Sequence, residues 1–585
     1  MKATVAIIGG GPAGSTLGAL IKRYSPKIDV LILERELFPR DHVGESQLPN
    51  VCSVLAEMGV WDKVERAGFP IKIGATYRWG RTDDLWDFEF YPAHRFVDEP
   101  RPAKYEGQRT QTAFQVDRAI YDKILLDHAK ELGCRVFEQT KVAEIHRDGD
   151  RVSGLTLEGR EPVEAKYFVD ASGNSGILRR AMGVEVDEPT TLRNVAFWEY
   201  WRNAEWAVTV GKGATKVQVM SLGYGWLWFI PLGPDRTSVG LVCPTEYAKT
   251  CGKRPQELYR EAIANDPRIG PLMQGADSEG KFYSTKDWSF VAERLAGENW
   301  FLCGECAGFA DPILAAGLTL AQTGARHLAY TIIALERGKL APDWLKRHYD
   351  ETQRKRIGQH IRFADFWYTA NGVFTDVKEH TSRIAADTGL ELEPDLAFQW
   401  LGTGGFMNDN PFFASIGEYN ITAIKQVMQM FLGKPSEWAI GQNNVFKLNL
   451  EGAKRGFVPI LHEGRIIQEP CWEREGRILP GVGIFKILTD ILSTEHRAEF
   501  INRELQSRMV GLFPDPVQSV DAALQCLEAM IQEGWVVASH HPKMPLLPYR
   551  TGHETEGMHR NWDGALPNVT VAAALRSAGQ FQSGT

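Results

Sequence analysis

The chain is poor in cysteine, carries no basic surplus and has no apolar run long enough to cross a bilayer, and each lack removes a class of function. Eight cysteines (52, 134, 243, 251, 303, 306, 471 and 526) are too sparse in 585 residues to form a disulfide framework. A formal net charge of −8 argues against a general nucleic-acid binder. No stretch reaches the length of a membrane span. Residues 3–8 already read as a buried strand, which leaves no room for a secretory signal. His540-His541, and His553 with His559, lack metal-site spacing such as H-E-x-x-H. No internal repeat or low-complexity segment is evident. The expectation is a metal-free protein of a reducing, cytoplasmic compartment, with neither nucleic acid nor membrane as partner.

Hydrophobic residues make up 43% and charged residues 24%, enough apolar side chain for a large ordered core. The length suggests two to four structural units. Ala3–Ile8 is apolar and β-prone and runs into Gly9-Gly10-Gly11-Pro12-Ala13-Gly14, a G-x-G-x-x-G. A helical stretch follows to about Arg23, then a second strand, Asp29–Leu33, ending at Glu34, twenty residues past Gly14. Gly9 permits the tight turn, Gly11 lets backbone approach a pyrophosphate, and Gly14 lets helix and strand pack. Pro12 and Ala13 open a helix whose free N–H groups favour phosphate. Strand, glycines, helix, strand and acid in this order predict a dinucleotide site.

Further along, residues 141–159 read as a hairpin across Asp148-Gly149. Val195–Trp201, Val217–Leu222, Trp226–Pro231 and Ser238–Cys243 are short and β-prone, and predict an antiparallel substrate-side sheet over about 190–290. Residues 317–337 read as a helix stopped by Gly338, and Asp343–Tyr368 as another. We therefore expect an α/β fold (α+β overall): a Rossmann-type dinucleotide-binding domain over 1–372 and a mostly helical C-terminal domain over 373–585. In the latter, Ser519 caps a helix ended by Gly534, and Trp535-Val536-Val537 reads as a strand. That order fits a winged-helix-like unit, but no basic stripe accompanies it, so a packing or lid domain is the expectation. Cys303-Gly304-Glu305-Cys306 has no second pair nearby and reads as structural thiols.

Several segments carry a resemblance. Gln115-Val116-Asp117-Arg118, Tyr167–Gly173, Trp300–Glu305 and Asp311-Pro312 resemble, in order, the FAD-containing monooxygenase superfamily. In that superfamily the third segment ends in Gly-Asp, with the acid on the ribityl chain; here Glu305 stands in that role. Gly225-Trp226-Leu227-Trp228-Phe229-Ile230-Pro231 contains W-x-W-x-I-P, which resembles the naming motif of the flavin-dependent halogenases. Asn194–Trp201 and Phe38-Pro39-Arg40-Asp41-His42-Val43-Gly44-Glu45-Ser46 are similar to the same family. The resemblance covers roughly residues 1–375; the remainder is similar to the chloramphenicol-type halogenases more loosely.

The resemblance implies roles. Gly9, Gly11, Pro12, Ala13, Gly14, Glu34, Arg35, Arg40, Ser46, Gln115, Arg118, Glu305, Asp311 and Pro312 are expected to hold FAD. Lys72 is expected to hydrogen-bond hypohalous acid or form a haloamine with it, as an ammonium whose pKa burial can lower. Two indoles at period two share a strand face, so Trp226 and Trp228 are expected to wall the flavin from the substrate. Asp287 matches an aspartate that carries a covalent FAD ester in the chloramphenicol-type enzyme, and linked and unlinked states stay open. Phe309–Gly317 is similar to F-x-x-P-x-x-S-x-G, with Ala315 replacing the serine; halide, chloride or bromide, is expected at the backbone of Ala316 and Gly317. No second G-x-G-x-x-G follows a strand, so reducing power is expected from another protein or from a transient NAD(P)H site, and the resemblance implies a partner flavin reductase that supplies FADH2. Reaction with O2 through a flavin hydroperoxide then yields hypohalous acid, captured by an electron-rich small molecule, free or carrier-tethered. Two other readings stay open here: a flavin monooxygenase that uses no halide, suggested by Ala315, and a non-catalytic flavin-binding regulatory protein.

Overall fold

A computed structural model describes residues 1–402, 415–416, 419–509, 516–547 and 558–560. The chain packs as two units, one of Met1–Thr388 with the strand Met558–Arg560, the other within Gly389–Thr555. Among the described residues no helix is long and apolar enough to cross a membrane.

The first unit begins with a parallel sheet in the order Arg135–Phe137, Val30–Leu33, Lys2–Ile8, Arg160–Asp170, Trp300–Leu302. Val30–Leu33 and the second half of Lys2–Ile8 are continuous apolar runs; Val5, Ala6, Ile7, Val30, Leu31 and Ile32 are wholly buried, as a sheet covered on both faces requires. Successive strands leave Lys2–Ile8 first on one side and then on the other. The crevice at the carboxyl ends of Ile8 and Asp170 is therefore the topological switch point, where such sheets bind ligands. Val142–Asp148 and Arg151–Leu157 form the expected hairpin, with Gly149 at φ 58° in its turn.

A second sheet of ten strands lies in the same unit. Its spine runs Arg193–Arg202, Arg236–Pro244, Gly225–Pro231, Ala214–Leu222, Ile71–Arg78, Leu85–Glu89 and Met558–Arg560. Its pairings are antiparallel apart from Ala214–Leu222 with Ile71–Arg78, which is parallel. One face is apolar: Phe197, Leu227, Phe229, Val239 and Leu241 pack with Tyr259 and Ile263 of the helix Pro255–Asn265. Residues of opposite parity, including Trp198, Trp226 and Trp228, occupy the other face. The helices Gly317–Arg337 and Pro342–Thr369 match expectation, and Gly338, at φ 63°, closes the first through its N–H to Ala334 and Leu335.

The second unit holds the helices Ile421–Leu432, Gly483–Leu492, Ala498–Arg508 and Pro516–Gln532. It also holds an antiparallel sheet of Lys454–His462, Arg465–Arg474 and Arg477–Pro480, and Val445–Leu448 paired with Val536–Ser539. The expectation of helices is thus met only in part. Ser519 is not the helix cap: the helix starts at Pro516, a residue whose fixed φ suits a first helical position, and Ser519 lies buried within it. His553 lies outside the described residues.

Candidate active site

The three glycines of the turn stand in different surroundings. A Cβ on Gly9 would sit 2.3 Å from the Ala171 carbonyl oxygen, and one on Gly14 2.0 Å from the Gly9 carbonyl oxygen. A Cβ on Gly11 would meet only Arg40 Nη2, at 3.7 Å. Gly9 and Gly14 are glycine for packing, whereas Gly11 faces space a ligand can fill. Pro12 and Ala13 form the first turn of the helix Pro12–Tyr24, whose N-cap Gly11 offers no side-chain partner.

Glu34 is buried and accepts from Gly10 N (2.7 Å) and Glu36 N (2.8 Å), which fixes both carboxylate oxygens at the crevice. Arg35 points outward to Ser175 and Glu36. Arg118 grips Asp122 at two points (2.7 and 2.9 Å), and Arg40 reaches the same carboxylate at 3.0 Å. Arg118 also donates to Val43 O at 2.8 Å, so it anchors the loop before Ser46. Burial raises the Glu305 carboxyl, with Arg118 opposing. Gln115 is spent on the sheet: its amide, turned to satisfy both ends, donates to Pro231 O (2.8 Å) and accepts from Val217 N (3.2 Å). The Ser46 hydroxyl is enclosed and has no partner among the described residues. Open space at Gly11, a fixed acid, two converging cations and an unspent hydroxyl fit a flavin dinucleotide. Asp287 lies on the strand Tyr283–Trp288, opposite Asn194; its side chain is outside the described residues.

The substrate-side sheet arranges the remaining candidates by register. Lys72 pairs with Thr215 but Gly74 with Lys216, so Ile73 is an extra residue, a β-bulge. Regular alternation would put Lys72 on the side of Thr76. The bulge instead puts it on the face of Ala75, Tyr77, Val217 and Val219. Across that face Tyr77, Val219, Trp228, Gly240 and Trp198 form one row. Trp226 lies one step beyond, beside Ser221. Lys72, at the level of Thr215, is four residues from the Trp228 row, about 13 Å at ~3.3 Å per residue. The order along the face is thus Trp226, Trp228, Lys72.

Lys72 is 2% exposed. Its Nζ donates to the backbone carbonyl of Gln47 at 2.9 Å and lies 5.1 Å from the Phe90 ring centroid. Burial alone lowers its pKa to about 7. Two residues from Gln47, Glu45 accepts from Tyr200 Oη at 2.9 Å; burial raises its carboxyl to about 7, against that hydrogen bond. Trp228 donates to Ser238 Oγ at 3.0 Å and lies over Gly240, where a Cβ would come within 2.2 Å of the indole.

At the other end Trp226 donates to Tyr368 Oη at 2.7 Å. Tyr368 Oη donates to Asp311 (3.0 Å) and also accepts from Asn194 Nδ2 (3.1 Å), which itself donates to Asp311 at 3.0 Å. Asp311 further accepts from Ile313 N at 2.9 Å, capping the turn Pro312–Leu314. Ala315 follows at φ 54°, left-handed, and Ala316 and Gly317 open the helix Gly317–Arg337. A Cβ on Gly317 would meet nothing within 4 Å. Tyr368, Gln47 and Tyr200 were not singled out from sequence; nothing in local pattern marks a tyrosine near a helix end as the partner of a tryptophan 142 residues away.

Cys303 and Cys306 are buried, Cys306 Sγ donates to Asp170 O at 2.8 Å, and burial raises both thiols, Cys303 to about 12. Thiols held protonated are structural. No group of His, Cys, Asp and Glu able to hold a metal occurs among the described residues.

Known proteins resemble the chain over most of this region. Residues 2–364 match the FAD binding domain family. A 1H-pyrrole-2-carbonyl-[peptidyl-carrier protein] chlorinase of Pseudomonas fluorescens is 30% identical over 390 residues, covering 63% of this chain and 84% of the relative. The flavin-dependent halogenase armH1 of Armillaria mellea is 31% identical over 427 residues, covering 68% and 76%. Among solved structures, the flavin-dependent halogenase CmlS superposes with a TM-score of 0.71 at 24% identity, covering 95% of this chain and 99% of that one.

Proposed function

The chain belongs to the flavin-dependent halogenases, FAD-binding oxidoreductases, and from that premise we propose which of its residues carry the halogenation and what substrate receives it. FAD is held by the Gly9–Gly14 turn, Glu34, Arg40, Ser46, Arg118 and Glu305. When bound, reduced by a partner reductase and supplied with O2, it provides the oxidising equivalents that convert halide to hypohalous acid. Halide rests at the helix start of Ala316 and Gly317, where open space meets first-turn amides. Hypohalous acid then moves along the sheet face past Trp226 and Trp228 to Lys72. The indoles keep that path apolar and exclude water. As a free amine, Lys72 attacks the halogen, forming N–X and releasing water; as an ammonium it orients the acid by hydrogen bond. An electron-rich carbon captures the halogen.

The carrying observation is Lys72 itself: a buried amine brought by a bulge to the aromatic face, with its pKa lowered to about 7 by burial alone. The substrate class we assign is a phenol, pyrrole or enol, with carrier tethering suggested by the pyrrolyl-carrier relative. Asp287 is the candidate for a covalent FAD link.

The test is mass spectrometry after incubation with FAD, a flavin reductase, NADH, O2 and a panel of phenols and pyrroles, free and carrier-bound, with and without bromide. Brominated product requiring enzyme and bromide is expected. A bromide-independent gain of one oxygen would overturn the halide path. Intact-protein mass after denaturation reports whether FAD stays on Asp287.

A further inference from the structure

On the strand Leu85–Glu89 the usual division of faces is inverted. Asp87 and Glu89 are buried, and Lys216 Nζ joins them at 2.7 and 2.5 Å, with Thr76 Oγ1 donating to Asp87 at 2.6 Å. Phe88, and Phe90 just beyond the strand, keep accessible surface instead. Carboxylates go under cover only when they are paired, so this ion cluster fixes which face turns inward and leaves the aromatic face without cover. Register puts Phe88 beside Ala75, on the face that carries Tyr77, Val217 and Lys72. Within Ile71–Arg78 only the first residue, Ile71, and Tyr77 are not buried.

Tyr77 is the polar group of this uncovered patch. Its ring meets Trp367 edge-on, with centroids 5.3 Å apart. Its Oη makes no hydrogen bond among the described residues, and it is not enclosed either. Yet burial pushes the phenol well above its ordinary 10, with no other group acting on it. A hydroxyl remote from bulk water, unbonded and still accessible opens into an internal recess. On its own strand the bulge leaves only Ala75 between Tyr77 and Lys72 on this face, a methyl group beside the larger Val217 and Phe88. The recess has an amine at one end, a phenol at the other and a small side chain as its floor. We propose that it holds the aromatic ring of the substrate, and that Tyr77 donates its O–H to an oxygen borne by that ring, phenolic or carbonyl, and so positions the ring against Lys72. This rests on the reading of Lys72 as the group that delivers the halogen.

Competition between phenol and pyrrole tests it, with bromide, the FAD-loaded protein, a flavin reductase and NADH, and with excess methionine to remove hypobromous acid that escapes. Pyrrole carries no oxygen, so the ratio of bromophenol to bromopyrrole from an equimolar mixture reads the proposed hydrogen bond. Tyr77→Phe keeps the ring against Trp367 and removes the donor; it is expected to lower that ratio roughly tenfold. Ala75→Leu fills the floor, and is expected to cut both products roughly tenfold while NADH consumption continues. An unchanged ratio in Tyr77→Phe would make Tyr77 a packing residue and overturn the proposal, with the role of Lys72 left standing. Bromination of pyrrole alone by the unaltered protein, or undiminished products in Ala75→Leu, would place the ring elsewhere and overturn it too. No brominated product from either ring in the unaltered protein, with NADH still consumed, would remove the reading of Lys72 and this inference with it.

Discussion

The Nζ of Lys72 donates to the backbone carbonyl of Gln47, and the enclosed Gln47 side chain leaves both its amide atoms without a partner among the described residues. A main-chain carbonyl holds an amine without charging it, whereas a carboxylate would keep it protonated. Lys72→Met should therefore cut halogenated product by roughly 10²-fold or more. NADH-driven flavin turnover should continue, with hypohalous acid and peroxide released instead. Simultaneous measurement of product and NADH consumption checks this, and equal loss of both would assign Lys72 to flavin binding.

Two buried groups of opposite type titrate at about 7, which sets a pH signature for stability. The folded pKa of Lys72 lies below its ordinary 10.5, so the unfolded chain binds more protons between pH 7 and 10.5 and stability rises with pH across that window. The folded pKa of Glu45 lies above its ordinary 4.5, so the folded chain binds more protons between pH 4.5 and 7 and stability falls with pH there. Lys72→Met should stabilise the protein most below pH 7, with the gain shrinking toward pH 10.5. Glu45→Gln should flatten the acidic limb. Denaturant midpoints at pH 5, 7 and 9 separate the two.

The glycine turn offers a contrast between two alanines. Gly9→Ala forces a Cβ to 2.3 Å from a backbone oxygen at φ 109°, so the fold itself should suffer. Gly11→Ala meets no such obstacle, yet its methyl enters the space assigned to the pyrophosphate. Thermal unfolding of the FAD-free Gly11→Ala protein should match the unaltered chain within about 1 kcal/mol, while FAD affinity falls severely. Equal destabilisation by both would return Gly11 to a packing role.

Legibility in the sequence tracked how local each determinant is. Gly9, Gly14 and Glu34 were readable because strand, turn, helix and acid lie within one short run; Gly338 was readable as a stop because the helix pattern ends there. The bulge at Ile73 was not, since alternation alone assigns Lys72 to the face of Thr76, and only the neighbouring strand creates the slip. The hairpins at Glu463-Gly464 and Glu475-Gly476 hold both turn residues at positive φ, 43° and 72°, then 51° and 73°. Glutamate is a poor signal for that geometry, so the three-stranded sheet passed for part of a helical domain. Asn194 and Tyr368 meet across 174 residues, beyond any local pattern.

That last pairing carries a prediction of its own. Tyr368 ties Trp226 to Asp311, so one phenol links the tryptophan wall to the loop that leads into Ala316 and Gly317. Tyr368→Phe keeps the ring and removes the link, and should shift turnover from product toward peroxide several-fold while FAD affinity stays the same. Trp226→Phe removes the same hydrogen bond from the other side. If the phenol acts through the indole, the double variant should be no worse than the more impaired single one, a coupling that product-to-peroxide ratios measure directly. Additive losses would mean that Tyr368 serves Asp311 alone, with Trp226 held in place by packing on the sheet face.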